Sequence, residues 1–190
     1  MADPVWTFTY SMNQTPEGNG FTRFIHAPDP VVTLVTGGTP ANRRVEVDTS
    51  TGGDISFLTS TVPALDDVVG MTAEALCNVS GPGDVGFEST FLTLDVQLII
   101  LESSATLLLV GQPGITVATA SNNADILWRI TYGGALDQNI RVYRAGILTI
   151  GPQAPVFQTN PFQQFQFFVE GGSVGIFKSL KFYIAGAVAP

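Results

Sequence analysis

Few side chains in this sequence could do chemistry, and they lie far apart. His26 is the only histidine and Cys77 the only cysteine. That leaves no ligand set for zinc and no intrachain disulfide. His26 sits in "FIHAPDP" beside Asp29, but no serine occupies the sharp Gly-x-Ser-x-Gly turn that would make it a nucleophile. A hydrogen-bonded loop histidine is the expectation. Cys77, in "AEALCNVSG", is expected to pack as a small buried hydrophobe. Glycoside hydrolysis needs two carboxylates flanking the scissile bond, and Glu46-Val47-Asp48 offers an alternating pair. Two solvated acids on an edge strand are the plainer reading. Asp66-Asp67 reads as charge at a helix N-terminus. No catalytic residue is assigned.

Binding chemistry is better represented. Calcium wants oxygens from Asp, Asn and backbone carbonyls, and the loops 121–125 ("SNNAD"), 81–84 ("GPGD") and 136–139 ("LDQN") carry them. None has the spacing of a recognisable site, and the same residues serve turns. No cofactor is expected, and calcium is left open. A sugar site would set an aromatic ring against the apolar face of a pyranose and add Asn, Asp or Arg hydrogen bonds. Trp6, Trp128, Tyr132 and Tyr143 are available, and alternation assigns both tryptophans to the core. The candidate ligand-binding residues are therefore Arg141 and Tyr143, with Arg129 beside them.

The elements that must position these residues are strands. In "DILWRITYGGALDQNIRVYRAGILTIG", Ile126, Trp128, Ile130 and Tyr132 alternate with Arg129 and Thr131, and Arg141 and Tyr143 continue the polar face. Two neighbouring strands paired across a turn are predicted, followed by a tight Ala145-Gly146 turn into an apolar strand. "VWTFTY" (5–10), "VVTLVT" (31–36) and "RRVEVDTS" (43–50) alternate in the same manner, with Val45 and Val47 inward. The Gly52-Gly53 pair predicts a hairpin into "DISFLTST". "VQLIIL" is expected to be buried on both faces. The one helical candidate, 63–79, is interrupted by Gly70 and predicts a turn or two at most. About a dozen short strands with turn residues between them predict an all-β, antiparallel two-sheet sandwich, a jelly roll, as one domain over residues 1–190.

Bulk properties narrow the partners. Charged residues are 13% of the chain, about half the usual share of roughly 25%, and mean hydropathy is +0.28. The net charge of −8, with eight basic residues, speaks against nucleic acid, whose phosphates demand clustered Lys and Arg. It speaks equally against an anionic membrane surface. The most apolar run, "VQLIIL", is six residues long, far below the roughly 20 needed to span a bilayer, and the start "MADPVWTFTY" has no signal-peptide pattern. No nucleic acid and no membrane insertion are expected. "FQTNPFQQFQFF" gathers Phe157, Phe162, Phe165, Phe167 and Phe168, more than one strand face can bury. Phe157, Phe162 and Phe165 are the candidate interface residues.

From "ILWRITY" through "IRVYRAGIL" and "FQFFVEGG" to "SLKFYIAGAVAP", the order of elements resembles the second half of concanavalin A-like, laminin G-like jelly rolls. The pattern covers about residues 87–190 well and 1–86 loosely. The resemblance implies that the last strand returns beside the first, bringing Lys181-Phe182-Tyr183 near Trp6-Thr7-Phe8. It also implies a range of functions: lectins, glucanases, adhesion modules, virion proteins. Glucanases of this fold carry a Glu-x-Asp-x-x-Glu strand, and here the third acid is missing. The expectation is a non-enzymatic structural or interaction protein, such as a decoration or fibre-type virion-surface component. It would be homo-oligomeric, with protein partners or itself in the assembly, and would act in a virion or outside cells. The alternative is a carbohydrate-binding, lectin-like module with glycan partners. A polysaccharide-cleaving hydrolase is third.

Overall fold

The structure, a computed structural model of the chain, describes residues 6, 8–26, 28–59, 70–90, 95–109, 111–155 and 164–184. The strands of the first half are β1 (Phe8–Tyr10), β2 (Thr22–Ile25), β3 (Val31–Val35), β4 (Arg44–Asp48), β5 (Ile55–Thr59), β6 (Met71–Ser80) and β7 (Asp84–Thr90). Those of the second are β8 (Asp95–Leu101), β9 (Ser104–Leu109), β10 (Ile115–Ala118), β11 (Ile126–Tyr132), β12 (Ile140–Arg144), β13 (Ile147–Gln153), β14 (Gln164–Glu170) and β15 (Val174–Ile184). Three single 3-10 turns are the helical content among the described residues. Two antiparallel sheets form. One runs β13-β12-β11-β6-β15-β4-β3, with β1 also on β15, and the other runs β10-β9-β8-β7-β14-β5-β2. This is the two-sheet β-sandwich that the alternation predicted.

The core lies between the sheets and is built by period-two alternation. Val45 and Val47 are fully buried, as are Trp128, Ile130 and Tyr132 from the first sheet and Phe57, Phe87, Leu98 and Phe167 from the second. Aromatic rings dominate its centre. Phe167 stacks on Phe57 at 4.8 Å, meets Phe21 edge-on at 5.2 Å and lies 4.8 Å from Phe177. Each such pair adds about 0.5–1.5 kcal/mol beyond area burial. Alternation in β15 breaks once. A bulge between Phe177 and Ser179 lets Phe177 and Leu180, three residues apart, both reach the core.

The closing strand returns to the first. Phe8 pairs with Phe182 and Thr9 with Lys181, and the Lys181 ammonium lies 5.2 Å from the centre of the Trp6 ring. The pairing of β11 with β12 and of β12 with β13 also stands as read. Ala145 and Gly146 both take positive φ, 49° and 82°, the pair of left-handed residues a two-residue hairpin turn requires.

Four expectations need correction. Residues 71–79 are not helical: Met71, Ala73, Ala75, Cys77 and Val79 are all buried on one face of β6, which sits mid-sheet between β11 and β15. Small residues at period two make a central strand that neighbours can approach closely. The Gly52-Gly53 pair is not a hairpin turn, because β4 and β5 belong to different sheets. The glycines are there because a Cβ on Gly53 would fall 1.4 Å from the His26 carbonyl oxygen. β4 is an interior strand between β15 and β3, so Glu46 and Asp48 do not lie on an edge. In "VQLIIL", Val96, Leu98 and Ile100 are buried while Ile99 and Leu101 are half-buried, so one face is closed and the other is not.

Candidate functional site

The polar face expected to carry Arg129, Arg141 and Tyr143 exists in register: Arg129 pairs with Tyr143 and Thr131 with Arg141. Its chemistry differs from the expectation. Arg129 is 7% exposed, and its Nε and Nη2 donate to Glu74 Oε2 at 3.0 and 2.6 Å. Lys181 Nζ reaches Glu74 Oε1 at 3.3 Å. Thr72 and Thr131 beside them are buried too. Arg129 is therefore one half of a buried ion pair, because desolvating a guanidinium demands a carboxylate partner. Arg141 is engaged by Asp137 at 2.5 Å, and this arginine, with Asn139, holds the Asp137 carboxyl below its usual range. Tyr143 is half-buried.

The aromatic interface candidates also shift. Phe165 is fully buried against Phe87 and Phe182, not at the surface. The strand buries phenylalanines on both faces. Phe168 points away from the core yet is 2% exposed, lying where a Cβ on Gly86 would come within 2.2 Å of its ring. Phe157 and Phe162 lie outside the described residues, as do Asp66 and Asp67.

Two of the three calcium loops, 121–125 and 136–139, have their oxygens engaged within the protein. Asn122, 1% exposed, donates to the carbonyls of Leu101 and Ser104 and to Thr119 Oγ1. Its own oxygen accepts from Arg144 Nε at 3.0 Å, so a cation already occupies it. Asp125 is held by Lys178 and Asn78, and Asp137 by Arg141 and Asn139. Among the described residues, no three His, Cys, Asp or Glu side chains converge to hold a metal ion.

The groove that sequence reasoning missed lies on the outer face of the second sheet. Register builds it. One row across the strands reads Gly86, Phe168, Ser56, Phe24. The next row, at the strand ends, pairs Asp84 with Glu170 and continues to Asp54 and His26, whose backbones are joined by a His26 N–H to Asp54 carbonyl bond of 2.9 Å. Phe24, His26, Asp54, Ile55, Ser56 and Glu170 line a shallow depression of about 30 Å³ that is partly open to solvent. That is below the roughly 300–1,000 Å³ of pockets that enclose whole small ligands. Phe24 is 54% exposed, a large ring left in water on a strand at the sheet edge. Asp54 is oriented by the Gly171 N–H, which donates to its Oδ1 at 2.8 Å. Burial, then repulsion from Asp84 and Asp54, raises the Glu170 carboxyl above its ordinary value, with His26 opposing. Burial and Asp54 raise Asp84 likewise, and Asp84 Oδ1 is buried without a hydrogen-bond partner. The sequence signal was the pair of glycine turns, Gly52-Gly53 and Gly171-Gly172, flanking Asp54 and Glu170.

No protein-family model and no curated protein matches the chain. Solved structures do. A conserved carbohydrate esterase from the Shiga toxin-encoding bacteriophage phi24B superposes with a TM-score of 0.63 at 10% identity, covering 96% of this chain and 99% of that one. The fold is the concanavalin A-like jelly roll. The metal-free carbohydrate recognition domain of Emp46p matches it at TM-score 0.63 and 11% identity, over 95% of this chain and 98% of that one. A beta-1,3-glucanase from Mycobacterium marinum matches at 0.61 and 10%, over 96% and 100%. At such identities the shared property is this jelly roll, on which sites of different chemistry are built.

Proposed function

We propose that this jelly roll is a non-catalytic, lectin-like carbohydrate-binding module whose sugar rests in the Phe24 groove. The observation that carries the reading is the half-exposed Phe24 ring beside Ser56, lining one depression with Asp54 and Glu170. A ring face excludes water from the apolar side of a pyranose, while carboxylates and a hydroxyl accept and exchange hydrogen bonds with its edge. The depression is too small to enclose a sugar ring, so the sugar would lie across Phe24 at the open surface. The alternating acids of β4 are engaged, Glu46 with Arg44 and Asp48 with Ser50, which supports binding rather than cleavage on that strand. Three solved structures of the same fold are, by their descriptions, a carbohydrate esterase, a carbohydrate recognition domain and a glucanase.

The test is a glycan-array screen followed by calorimetric titration of the best ligand. Phe24→Ala and Asp54→Ala should each weaken binding at least tenfold without changing the melting temperature by more than a few degrees, and no sugar should be released. An array without ligands, or binding indifferent to both substitutions, would overturn the reading. A second reading, an assembly component at a virion surface, is supported by Ile147 (72% exposed) and Leu148 (47%) on the β13 edge. Exposed apolar side chains there fit a protein partner. Retention of Ile147→Ser/Leu148→Ser protein on its particle would count against it.

A further inference from the structure

Edge strands expose unpaired N–H and C=O groups, and soluble proteins guard them with charge, proline, bulges or brevity. Four of the five edges among the described strands are guarded. β13 has register shifts against β12 and contains Pro152, which has no N–H. β10 is four residues long, and β1, paired with β15 alone, is three. β2 carries Arg23, paired with Glu17 at 2.6 Å. The fifth edge, β3, is "VVTLV", with no charge, no proline and no bulge against β4. Its Val31 is 56% exposed, while Val32 and Leu34 already pack on the core.

We propose that β3 is the interface of a homodimer, joined by antiparallel pairing of Val31–Val35 with the same strand of a second copy. The two-fold axis passes through Thr33. The register follows from the symmetry: Val31 lies opposite the partner's Val35, Val32 opposite its Leu34, and Thr33 opposite its Thr33. Val–Val and Thr–Thr neighbours across strands are favourable pairs, and the exposed Val31 is covered. The strand offers about 17 Å of backbone.

Charge selects a second copy as the occupant. The Val31 end of β3 is acidic, with Asp29 two residues before it and Asp48 opposite Val31 on β4. The Val35 end is basic, with Arg44 opposite Val35 and Arg43 next to it. Arg43 Nε is buried without a hydrogen-bond partner. Antiparallel pairing places Asp29 alongside Thr36–Gly37 of the other copy, about two strand spacings (roughly 10 Å) from the line of the partner's Arg43. The same contact repeats at the other end. The inference does not depend on the sugar groove.

The experiment measures mass by light scattering and sedimentation over a wide concentration range, on wild type and Thr33→Lys, and follows disulfide cross-linking of Thr33→Cys. Thr33 is exposed, so Thr33→Lys leaves the monomer intact and sets two ammonium groups face to face at the axis. The dissociation constant should rise roughly tenfold or more. Thr33→Cys should form a covalent dimer under mild oxidation. Thr116→Cys on the β10 edge should not, and buried Cys77 should not contribute. A wild-type monomer at every concentration overturns the proposal. So does a dimer that Thr33→Lys leaves intact, or Thr33→Cys cross-linking no better than Thr116→Cys.

Discussion

Replacing Arg129 with methionine isolates the energetics of the most deeply buried ion pair among the described residues. Glu74 is 3% exposed and accepts both guanidinium bonds on one oxygen, at 2.6 and 3.0 Å. At an effective dielectric near 20, unit charges 2.6 Å apart attract by about 6 kcal/mol. Most of that attraction repays the cost of taking both ions out of water. Methionine keeps much of the side-chain volume and removes only the cation, so the carboxylate keeps its desolvation cost and retains a single charged partner, Lys181 at 3.3 Å. Breaking a buried pair costs about 3–5 kcal/mol, and Lys181 moves the expectation to about 3 kcal/mol. For a chain of this length that is a fall of about 6–12 °C in melting temperature. Urea denaturation of Arg129→Met, Glu74→Gln and the double variant forms the cycle. The double variant should be more stable than the sum of the singles predicts, by at least about 1.5 kcal/mol. An Arg129→Met loss below about 1 kcal/mol, or simple additivity, would refute the account.

Three more predictions bear on the frame around the sites. Asn122→Ala removes the amide that joins the carbonyls of Leu101 and Ser104 to Arg144. Each orphaned buried group costs about 1–3 kcal/mol, so urea denaturation should show a loss of about 2–4 kcal/mol, and a loss under 1 would contradict it. Burial raises Asp84 and Glu170 above their unfolded values, with repulsion from Asp54 on Asp84 and from Asp84 and Asp54 on Glu170, so the folded state holds these protons more tightly. Their contribution is fully present below about pH 4, where the unfolded carboxyls titrate, and is lost as pH rises through the raised values. Asp84→Asn should thus stabilise the protein at pH 7 and converge with wild type near pH 3.5; a constant difference across that range would contradict the assignment. Burial pushes the Cys77 thiol up to about 12. A thiol reagent at pH 8 should leave the native chain unmodified and label one thiol after denaturation, and rapid native labelling would refute the burial.

Much of the fold was legible because a strand announces itself locally. Alternation at 126–132 and 140–144, and the left-handed Ala145-Gly146 pair, depend on residues within a few positions of each other. Where two structures share the same local signal, reading along the chain failed. Gly52-Gly53 fits a hairpin and a sheet-to-sheet crossing equally well, and only the approach of the His26 carbonyl decides between them. Residues 71–79 carry both a broken helical pattern and a small-residue strand, and the neighbours β11 and β15 select the strand. Arg129 alternates like a surface residue because alternation reports which face a side chain takes, not whether that face is covered.

The family resemblance implied the return of the last strand beside the first; by itself the sequence determined the all-β class, the antiparallel alternation, and the core valines and tryptophan. These follow from short-range periodicity and from the need of every apolar face to find another. The tertiary structure alone decided which polar groups meet. Asp84, Glu170, Asp54 and His26 come from four separate stretches of chain, and Phe24 joins them only through the register of β2 on β5 and of β5 on β14. Ion pairs, raised carboxyls and grooves depend on distances of a few ångströms between residues tens of positions apart in the chain, and no local pattern encodes those distances.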